Sequence, residues 1–212
     1  MTDQHTSVVV DPSAIDDDVR LAYATGRRTA NRFGIGPGAT IRSGTVIYDG
    51  TTIGANLATG HNVVIREDCR IGDDFSIWSN SIVDYGCTIG NGVKLHSNIY
   101  VAQFTVIEDG AFLAPGVCIA NDLYPGSPES AAVMAGPVIG AGAQIGVNVT
   151  ILPYVRIGAG ALIGSGAVVT SDIEAGMVAV GNPARVTKAV ADLVPIDQRD
   201  DVTTAITTRG IA

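Results

Sequence analysis

The sequence is poor in cysteine, in aromatic residues and in charge, and each shortage excludes a class of protein. Of its 212 residues only 5% are aromatic and 16% charged, whereas 46% are hydrophobic and 26 residues are glycine. Collagens, coiled coils and wholly disordered chains have far more biased compositions, so a folded protein with a sizeable core remains. The three cysteines, Cys69, Cys87 and Cys118, form no CxxC pair. They predict neither a disulfide framework nor a zinc knot.

Positive charge is also scarce. There are 13 Lys and Arg residues against 21 Asp and Glu residues, a formal net charge of −8. The field of the whole molecule therefore disfavours nucleic acid and anionic lipid, and an anionic ligand has to be held by local cations or backbone amides. No apolar run approaches the roughly 18 residues of a membrane span. The start MTDQHTSVVV lacks a basic region followed by an apolar stretch, so we expect a cytoplasmic protein with no membrane partner.

What the sequence does contain is a six-residue repeat. An aliphatic residue recurs at 14 of 15 hexad first places from Ile35 to Ile119 and, after an interruption and a shift of two residues, at all six from Ile139 onwards. The fourth place holds Gly, Asn or Asp in 19 of these 21 hexads, and only Phe104 and Tyr154 depart from the rule. Gly, Asn and Asp best tolerate a left-handed backbone turn. The repeat therefore predicts short strands separated by tight turns.

In this pattern the sequence resembles the hexapeptide-repeat superfamily, whose members fold as a left-handed parallel β-helix with three hexads per triangular coil. The resemblance covers roughly residues 35–188 and implies an all-β prism of seven coils, about 33 Å long at about 4.8 Å per stacked strand. We divide the chain into an N-terminal opening segment and insertion (1–34), a β-helix catalytic domain (35–181) with an inserted loop at about 124–135, and a C-terminal helix and polar tail (182–212).

Residues 18 positions apart lie above one another in such a prism. This spacing makes Cys69 and Cys87 neighbours in the core, where a buried free cysteine behaves as a small hydrophobe. It also stacks three turn asparagines, which we expect to form a ladder of side-chain hydrogen bonds: Asn62, Asn80 and Asn98. A polar stripe along one edge is either an ordinary wet face or a sugar site: Asp49, Glu67, Tyr85, Gln103 and Asn121.

Function in repeat proteins tends to lie where the repeat is broken. One interruption, residues 16–33, carries three arginines that could reach a nucleotide diphosphate: Arg27, Arg28 and Arg32. The inserted loop, YPGSPESAAVMA, is a second interruption and directly follows Asn121, Asp122 and Leu123. Its turn-forming residues predict a loop that leaves the prism.

The C-terminal end carries a helical pattern. Asn182 is suited to the N-cap and Pro183 to the first helical position. One apolar stripe follows, made of Val186, Ala189, Val190, Leu193 and Val194. We therefore predict a short α-helix that packs across the prism or against a neighbour.

The second half of the repeat looks like the acyl-CoA-dependent branch of the superfamily. The resemblance is carried by IWSNSIVDYGCTIGNGVKLHSNIYVAQFTVIEDGAFLAPGVCIANDLYPG, by PVIGAGAQIGVNVTILPYVRIGAGALIGSGAVVTSDI and by the ending VGNPARV. Within that branch the sequence is most similar to N-acetyltransferases that acylate nucleotide-linked amino sugars, especially 3-amino sugars attached to dTDP. The resemblance implies acetyl-CoA as co-substrate, a dTDP- or UDP-linked amino sugar as acceptor, and a homotrimer with an active site in each cleft between adjacent prisms.

The resemblance also implies that coenzyme A runs along the coils toward their C-terminal end. Ala141 and Gly142 stack beneath Ala159 and Gly160, and such small residues leave room and exposed amides for a pantetheine arm. The alternative is that they only satisfy the hexad. Two cations just beyond the last coil could meet coenzyme phosphates or form a solvated face: Arg185 and Lys188.

Acyl transfer to an amine benefits from a base and from a donor for the oxyanion. His96, near the middle of the prism, is the first candidate base, although the amino-sugar branch often has an amide residue at the corresponding position and can let the sulfur or solvent take the proton. His61 is the second candidate, as a base or a sugar contact. Asn121 and Asp122 match an Asn-containing turn of the branch, and Asp122 could anchor or deprotonate a sugar ammonium. A surface turn residue is the alternative for both histidines.

Other functions remain open. The acceptor could be a hydroxyl or another amine, such as serine or a different sugar, or the β-helix could be a catalytically silent scaffold. A γ-type carbonic anhydrase needs three histidine ligands around zinc, which His61 and His96 alone do not supply, so no metal is expected. Ser97 beside His96 leaves a covalent intermediate open, but we expect the amine to attack the thioester directly.

Overall fold

The computed structural model describes residues 7–8, 14–29 and 32–199. Within them the chain forms three sheets of eight strands each, which are the three faces of a triangular prism. From β5 to β22, in chain order, successive strands lie on successive faces, and all pairings within a face are parallel except the last one. This is the predicted left-handed parallel β-helix, and the all-β fold class is confirmed.

The strands are numbered β1 to β24 along the chain. The first face holds β1 (Ser7–Val8), β3 (Gly34–Ile35), β5 (Thr52–Ile53), β8 (Arg70–Ile71), β11 (Thr88–Ile89), β14 (Val106–Ile107), β17 (Val138–Ile139) and β20 (Arg156–Ile157). The second face holds β6 (Ala58–Thr59), β9 (Ser76–Ile77), β12 (Lys94–Leu95), β15 (Phe112–Leu113), β18 (Gln144–Ile145), β21 (Leu162–Ile163), β23 (Met177–Val180) and β24 (Arg185–Ala189). The third face holds β2 (Arg20–Tyr23), β4 (Val46–Tyr48), β7 (Val64–Ile65), β10 (Ile82–Val83), β13 (Tyr100–Val101), β16 (Cys118–Ile119), β19 (Thr150–Ile151) and β22 (Val168–Val169).

Tight turns join the faces at three edges, which we name by their residues. The ladder edge, between the first and second faces, includes Asp73, Asn91 and Asp109. The histidine edge, between the second and third faces, includes His61 and His96. The polar edge, between the third and first faces, includes Glu67, Gln103 and Asn121.

The turns confirm the role predicted for the fourth place of the hexad. Positive φ occurs at 19 of the 21 fourth places, all except Asp122 and Asp172. Phe104 and Tyr154, the two departures from the sequence rule, also take it, with φ of 62° and 63°. The turn therefore imposes a left-handed backbone even on bulky side chains that disfavour it.

The interior of the prism is one continuous apolar cluster. Cys69 and Cys87 are both fully buried in it, as predicted. Hydrogen bonding with the Cys69 thiol, followed by burial, raises the pKa of Cys87. At the surface, Asn62 Nδ2 donates to Asn80 Oδ1 at 3.4 Å, which is one rung of the predicted asparagine ladder.

The N-terminal segment adds a partial coil below the seven that the repeat predicts. Strand β1 pairs with β3, β2 pairs with β4, and Ile15 bridges Ile41. The sheets therefore continue below β3 and β4, although the sequence there has lost its six-residue period. The reason is that the open ends of the sheets supply backbone partners whatever the side chains are.

The inserted loop leaves the polar edge after β16 and returns before β17. Its helix, α1 (Ser130–Val133), is a single turn. The Ala135 N–H donates to the Asn121 carbonyl at 3.1 Å and closes the base of the loop. The Tyr154 hydroxyl donates to the Val133 carbonyl, which ties the loop to the coil above it.

The predicted C-terminal α-helix is wrong. Residues Arg185–Ala189 form β24, antiparallel to β23, and Asn182 and Pro183 lie in the turn between these strands. Two short 3₁₀ turns follow, at Val190–Asp192 and Ile196–Gln198. Strand β23 is the last parallel strand of its face, so its free edge offers hydrogen bonds to any extended segment. Val186 and Thr187 are β-branched and favour that extended state over a helix.

Candidate active site

The predicted site residues lie on three different edges of one prism. The histidine edge carries His61 and His96, and the polar edge carries Asn121 and Asp122. The predicted coenzyme contacts are on the ladder edge and on β24: Ala141, Gly142, Ala159, Gly160, Arg185 and Lys188. A complete face separates each pair of edges, so one chain does not bring the three groups together.

The ladder edge is built from turn side chains that cap the coil below. The N–H groups of Ala55, Asp73 and Asn91 donate to the Oδ1 atoms of Asp73, Asn91 and Asp109 at 2.7, 2.9 and 2.7 Å. Each cap oxygen lies too close to a glycine of the coil below for that residue to carry a Cβ. A Cβ at Gly54, Gly72 or Gly90 would lie 2.2–2.4 Å from it. Glycine at these places is therefore a condition for the ladder.

The ladder stops at Asp109, where the predicted coenzyme contacts begin. Ala141 and Ala159 have no side-chain oxygen to continue it, and among the described residues no acceptor reaches the N–H of Asp109 or of Ala159. The Ala141 N–H donates instead to Glu108 Oε2 at 3.0 Å. Shallow grooves of about 510 and 390 Å³ run along the two sides of this edge. The upper ladder edge is thus a smooth surface with free amide donors.

The two C-terminal cations lie at opposite ends of β24. Lys188 pairs with Val178, next to the ladder edge, whereas Arg185 pairs with Val180, toward the histidine edge. Three residues of extended chain, about 10 Å, separate them. Arg185 Nη1 donates to the Ala184 carbonyl at 2.9 Å. Lys188 is therefore the cation closer to the free amides of the ladder edge.

The histidine edge presents its two imidazoles in different surroundings. His96 is half-buried, and its ring centroid is 5.1 Å from that of Phe112. His61 is exposed, and its backbone N–H donates to Ser79 Oγ at 3.0 Å. Among the described residues, no side chain makes a hydrogen bond or an ion pair with either imidazole. An apolar groove of about 270 Å³, lined by Phe112, Ala114, Val147 and Leu162 among others, lies on the second face beside the Phe112 ring that His96 contacts.

The polar edge carries a buried hydrogen-bond relay. Asn121 Nδ2 donates to Gln103 Oε1 at 2.6 Å, and Gln103 Nε2 donates to Asp84 Oδ2 at 2.6 Å. The Tyr100 hydroxyl donates to the same Asp84 oxygen at 2.8 Å. Burial, followed by this bond to Asp84, raises the pKa of Tyr100 to about 12, so the hydroxyl keeps its proton. The polar stripe predicted on this edge is therefore connected through Asp84.

Below the relay, an ion-pair cluster anchors the N-terminal insertion. Glu67 is 1% exposed and accepts two hydrogen bonds from Arg66, at 2.8 and 3.0 Å. Arg27 lies 3.5 Å from Glu67 and stacks on the Tyr85 ring at 3.8 Å. Burial alone raises the pKa of Glu67, but the hydrogen bonds and charges of Arg66 and Arg27 outweigh it and hold the pKa below its usual value. Arg27 is thus engaged by the protein itself.

The remaining predicted residues near this edge are more exposed. Asp122 Oδ1 accepts from the Tyr124 N–H at 2.8 Å and starts the inserted loop with a local turn. Arg28 and Arg32 are exposed, and neither has an ion-pair partner among the described residues. They remain available to an anionic ligand.

Sequence reasoning missed Asp84, Tyr100 and Arg66. Asp84 follows a strand, at the second place of its hexad. The next two coils of the same edge carry alanine at this place. A carboxylate where these coils have a small residue was the signal in the sequence that could have identified Asp84. Among residues 7–8, 14–29 and 32–199, no group of three or more His, Cys, Asp or Glu side chains is arranged to hold a metal ion. No helix in these ranges is long and apolar enough to cross a membrane.

A protein-family model described as bacterial transferase hexapeptide (six repeats) matches the chain. The matched residues are 86–121 and 136–171, the coils directly below and above the inserted loop. A comparison with curated protein sequences finds no match.

Solved structures of several acyltransferases are similar to the chain. UDP-N-acetylglucosamine O-acyltransferase from Moraxella catarrhalis RH4 is 20% identical, with 96% of this chain and 91% of that chain covered and a TM-score of 0.64. A mutant N-acyltransferase from Bacillus cereus, in complex with dTDP and coenzyme A, is 17% identical, with coverages of 85% and 92% and a TM-score of 0.48. Serine acetyltransferase from Neisseria gonorrhoeae is 28% identical, with coverages of 53% and 42% and a TM-score of 0.44. The first of these supports the β-helix fold along nearly the whole chain.

Proposed function

We propose that the chain belongs to the hexapeptide-repeat acyltransferase superfamily, which its β-helix fold and the match of residues 86–121 and 136–171 to a hexapeptide transferase model support. We further propose that it transfers an acetyl group from acetyl-CoA to the amine of a nucleotide-linked amino sugar. The nucleotide is dTDP or UDP. Its product is the N-acetylated sugar nucleotide, with free coenzyme A as the second product.

The reaction forms one bond and breaks one. The neutral amine nitrogen attacks the thioester carbonyl carbon, the C–N bond forms, and the C–S bond breaks as coenzyme A leaves as a thiolate. The ammonium form of the amine has to lose a proton before attack, and the nitrogen loses a second proton on the way to the amide. Holding both substrates in one cleft supplies much of the acceleration through orientation, and backbone N–H donors stabilise the developing oxyanion.

The free amides of the upper ladder edge are the observation that carries this proposal. A pantetheine arm contains two amide groups, whose carbonyl oxygens need donors. The N–H groups of Asp109 and Ala159 have no acceptor among the described residues, in contrast to the capped coils below. Ala141, Gly142 and Gly160 keep this edge low enough for a chain to lie against it. Lys188 at its C-terminal end would meet a coenzyme phosphate as a charge-assisted donor.

The polar edge would hold the acceptor. Asn121 and Asp122 stand where the inserted loop begins and supply an amide and a carboxylate to a sugar amine. Arg28 and Arg32, without partners among the described residues, would meet the nucleotide diphosphate. Local cations are needed because the chain as a whole has a formal net charge of −8.

His96 is the proposed general base, with His61 as a second candidate. The imidazole of His96 is partly sheltered against Phe112, which itself lines the apolar groove of the second face. No side chain among the described residues orients it, so its partner would be the substrate or a neighbouring copy. A neutral imidazole within reach of the amine can accept its proton as a general base.

The separation of the three edges supports a homotrimer. Within one chain the ladder, histidine and polar edges point away from one another, whereas a closed ring of three prisms brings one edge of each copy against the next. Each site would then combine edges of two copies. Full activity of a dissociated monomer would contradict this shared cleft.

Thiol release from acetyl-CoA tests the proposal. The acceptor panel contains dTDP- and UDP-linked 3-amino and 4-amino sugars, serine and a simple galactoside. Rapid turnover of one nucleotide-linked amino sugar is the expected result. Turnover with serine or the galactoside alone would move the acceptor to another class, and no saturable binding of coenzyme A would replace the enzyme by a scaffold.

A further inference from the structure

Asp84 is a buried carboxylate to which the proposed function assigns no role. It is 6% exposed, and donors surround both of its oxygens. Oδ1 accepts from the backbone N–H of Tyr85 at 2.8 Å and lies 3.5 Å from Arg66 Nη1. Oδ2 accepts from the Tyr100 hydroxyl at 2.8 Å and from Gln103 Nε2 at 2.6 Å. Asp84 is therefore the terminal acceptor of the polar edge.

A terminal acceptor determines the direction of every amide that follows it. An ionised carboxylate has no proton to donate, so Gln103 has to present its Nε2 to Asp84 and its Oε1 away from it. Asn121 in turn has to present Nδ2 to that Oε1, and the two atoms are 2.6 Å apart. The orientation of the Asn121 amide is thus set two side chains away.

The relay leaves one buried atom without a partner. Asn121 Nδ2 is fully engaged, because it also lies 3.3 Å from Met134 Sδ. Asn121 Oδ1 has no donor among the described residues, although the residue is only 9% exposed. Buried polar atoms normally have partners, and an exception calls for a ligand or a water molecule. The free atom is an acceptor.

We propose that Asp84 is a positioning residue that acts through Gln103 to aim Asn121 Oδ1 at the amine of the acceptor. This inference rests on the proposed function. An amine or ammonium N–H needs an acceptor, and the opposite orientation of Asn121 would present an N–H to it instead. The direction of the relay therefore favours an acceptor substrate that donates an N–H to Asn121 Oδ1. It disfavours the flipped orientation of the Asn121 side chain, in which Nδ2 would face the amine.

Asp84→Asn tests the direction because it is isosteric and reverses the relay. The Tyr85 N–H stays a donor, so the new side chain has to place its oxygen there and its NH₂ group toward Gln103. Gln103 then turns over, and so does Asn121, which now aims Nδ2 at the amine. We expect kcat/KM for the amino sugar to fall by about 10- to 100-fold, with the Kd for acetyl-CoA and the Tm little changed.

A second substitution restores an acceptor. In the double variant Asp84→Asn, Asn121→Asp the reversed Gln103 donates to one carboxylate oxygen at position 121, and the other oxygen faces the amine. We expect the double variant to recover most of the kcat/KM that Asp84→Asn alone loses. A merely structural role for Asp84 predicts no such rescue.

Thermal unfolding tests the relay without any assay of activity. In Asn121→Asp alone, Gln103 lies between two carboxylates and can turn its NH₂ group toward only one of them, so its Oε1 faces the other. The Tm of this variant should therefore fall by several degrees and return in the double variant. The matched control is Asp74→Asn on the exposed ladder edge, where Asp74 accepts from Asn56 Nδ2 at 2.9 Å and an amide oxygen replaces it without conflict. It should leave kcat/KM and Tm unchanged.

The outcomes separate this inference from the proposed function. If the wild-type protein acylates the amino sugar and folded Asp84→Asn does so within about twofold, the inference is wrong and the function stands. A loss that Asn121→Asp does not rescue also overturns it. If the wild-type protein acylates no amine, the proposed function fails together with the role of Oδ1. The Tm values of Asn121→Asp and of the double variant then still decide whether Gln103 donates to Asp84 and accepts from Asn121.

Discussion

Phe104 and Tyr154 hold the same place in their hexads on the polar edge, one coil below and one coil above the inserted loop, and both have a left-handed backbone. Their φ angles are 62° and 63°, values that bulky side chains disfavour. Tyr154 binds the loop through Val133, and the Phe104 ring packs edge-on against Tyr85 with centroids 5.3 Å apart. Side-chain contacts therefore offset the backbone cost at both positions.

At position 104 glycine should give a more stable protein than alanine, which is the reverse of the usual order. Both Phe104→Ala and Phe104→Gly lose the ring, but only glycine adopts this backbone freely, so Phe104→Gly should be more stable by about 1 kcal/mol. The measurement is the free energy of unfolding in denaturant. The control is Ala58, in strand β6 with an ordinary backbone, where glycine should be less stable than alanine by about 0.5–1 kcal/mol. Equal stabilities of the two Phe104 variants would mean that the turn carries no strain.

Extending the ladder should block coenzyme A. In Ala159→Asp the new carboxylate can cap the Ala141 N–H, because Gly140 below it has no Cβ in the way. It would also set a negative charge on the proposed pantetheine surface. We expect the Kd for coenzyme A to rise at least about tenfold while the Tm is kept, since one charge-assisted contact amounts to about 1.5–3 kcal/mol. Calorimetric titration measures this.

The control for the ladder is the same exchange far from the proposed coenzyme. Ala55→Asp lies on the same edge five coils lower and should leave coenzyme A binding unaltered. Equal effects of both variants would show that net charge, rather than the ladder surface, changes the affinity.

Loss of the His96 imidazole should slow the chemical step. His96→Ala removes the proposed base, so kcat should fall more than about tenfold while the KM for acetyl-CoA changes little. His61→Ala is the matched comparison on the same edge and should have the smaller effect. Steady-state kinetics with the best acceptor decides, and a loss below about tenfold at His96 would leave the proton to the sulfur or to solvent.

Glu67 should make the protein less stable in acid. Its pKa in the folded state lies below the value of 4.5 for the free group, so the unfolded chain binds more protons in the interval between the two values. The stabilisation is therefore complete above pH 4.5 and is lost as the pH falls through the folded pKa. Denaturant unfolding at a series of pH values should show a shallower acid loss for Glu67→Gln than for wild type. Glu174→Gln, an exposed exchange, should leave the slope unaltered.

The sequence by itself determined the prism, because the information for it is local and repeated. Each hexad states its own buried residue and its own left-handed turn, and stacking adds identical units 18 residues apart. The stacking of the free cysteines Cys69 and Cys87 in the core, and the polar stripe, follow from that spacing alone. Even Phe104 and Tyr154, where the residue type is wrong, obey the geometry that their neighbours impose.

The tertiary structure alone decided the local structure and the hydrogen bonds at places where adjacent coils carry different residues. Strand β24 formed because the free edge of β23 offered backbone hydrogen bonds to an extended segment, which the helical apolar stripe beginning at Val186 did not indicate. Asp84 became the end of the relay because two residues of the coil above it, Tyr100 and Gln103, turn their donors toward it. The ladder stopped at Asp109 because the coil above it has alanine in place of a cap. Such contacts depend on the side chains that are neighbours on adjacent coils. The repeat predicts which residues are neighbours, but it does not predict the hydrogen bonds that they make.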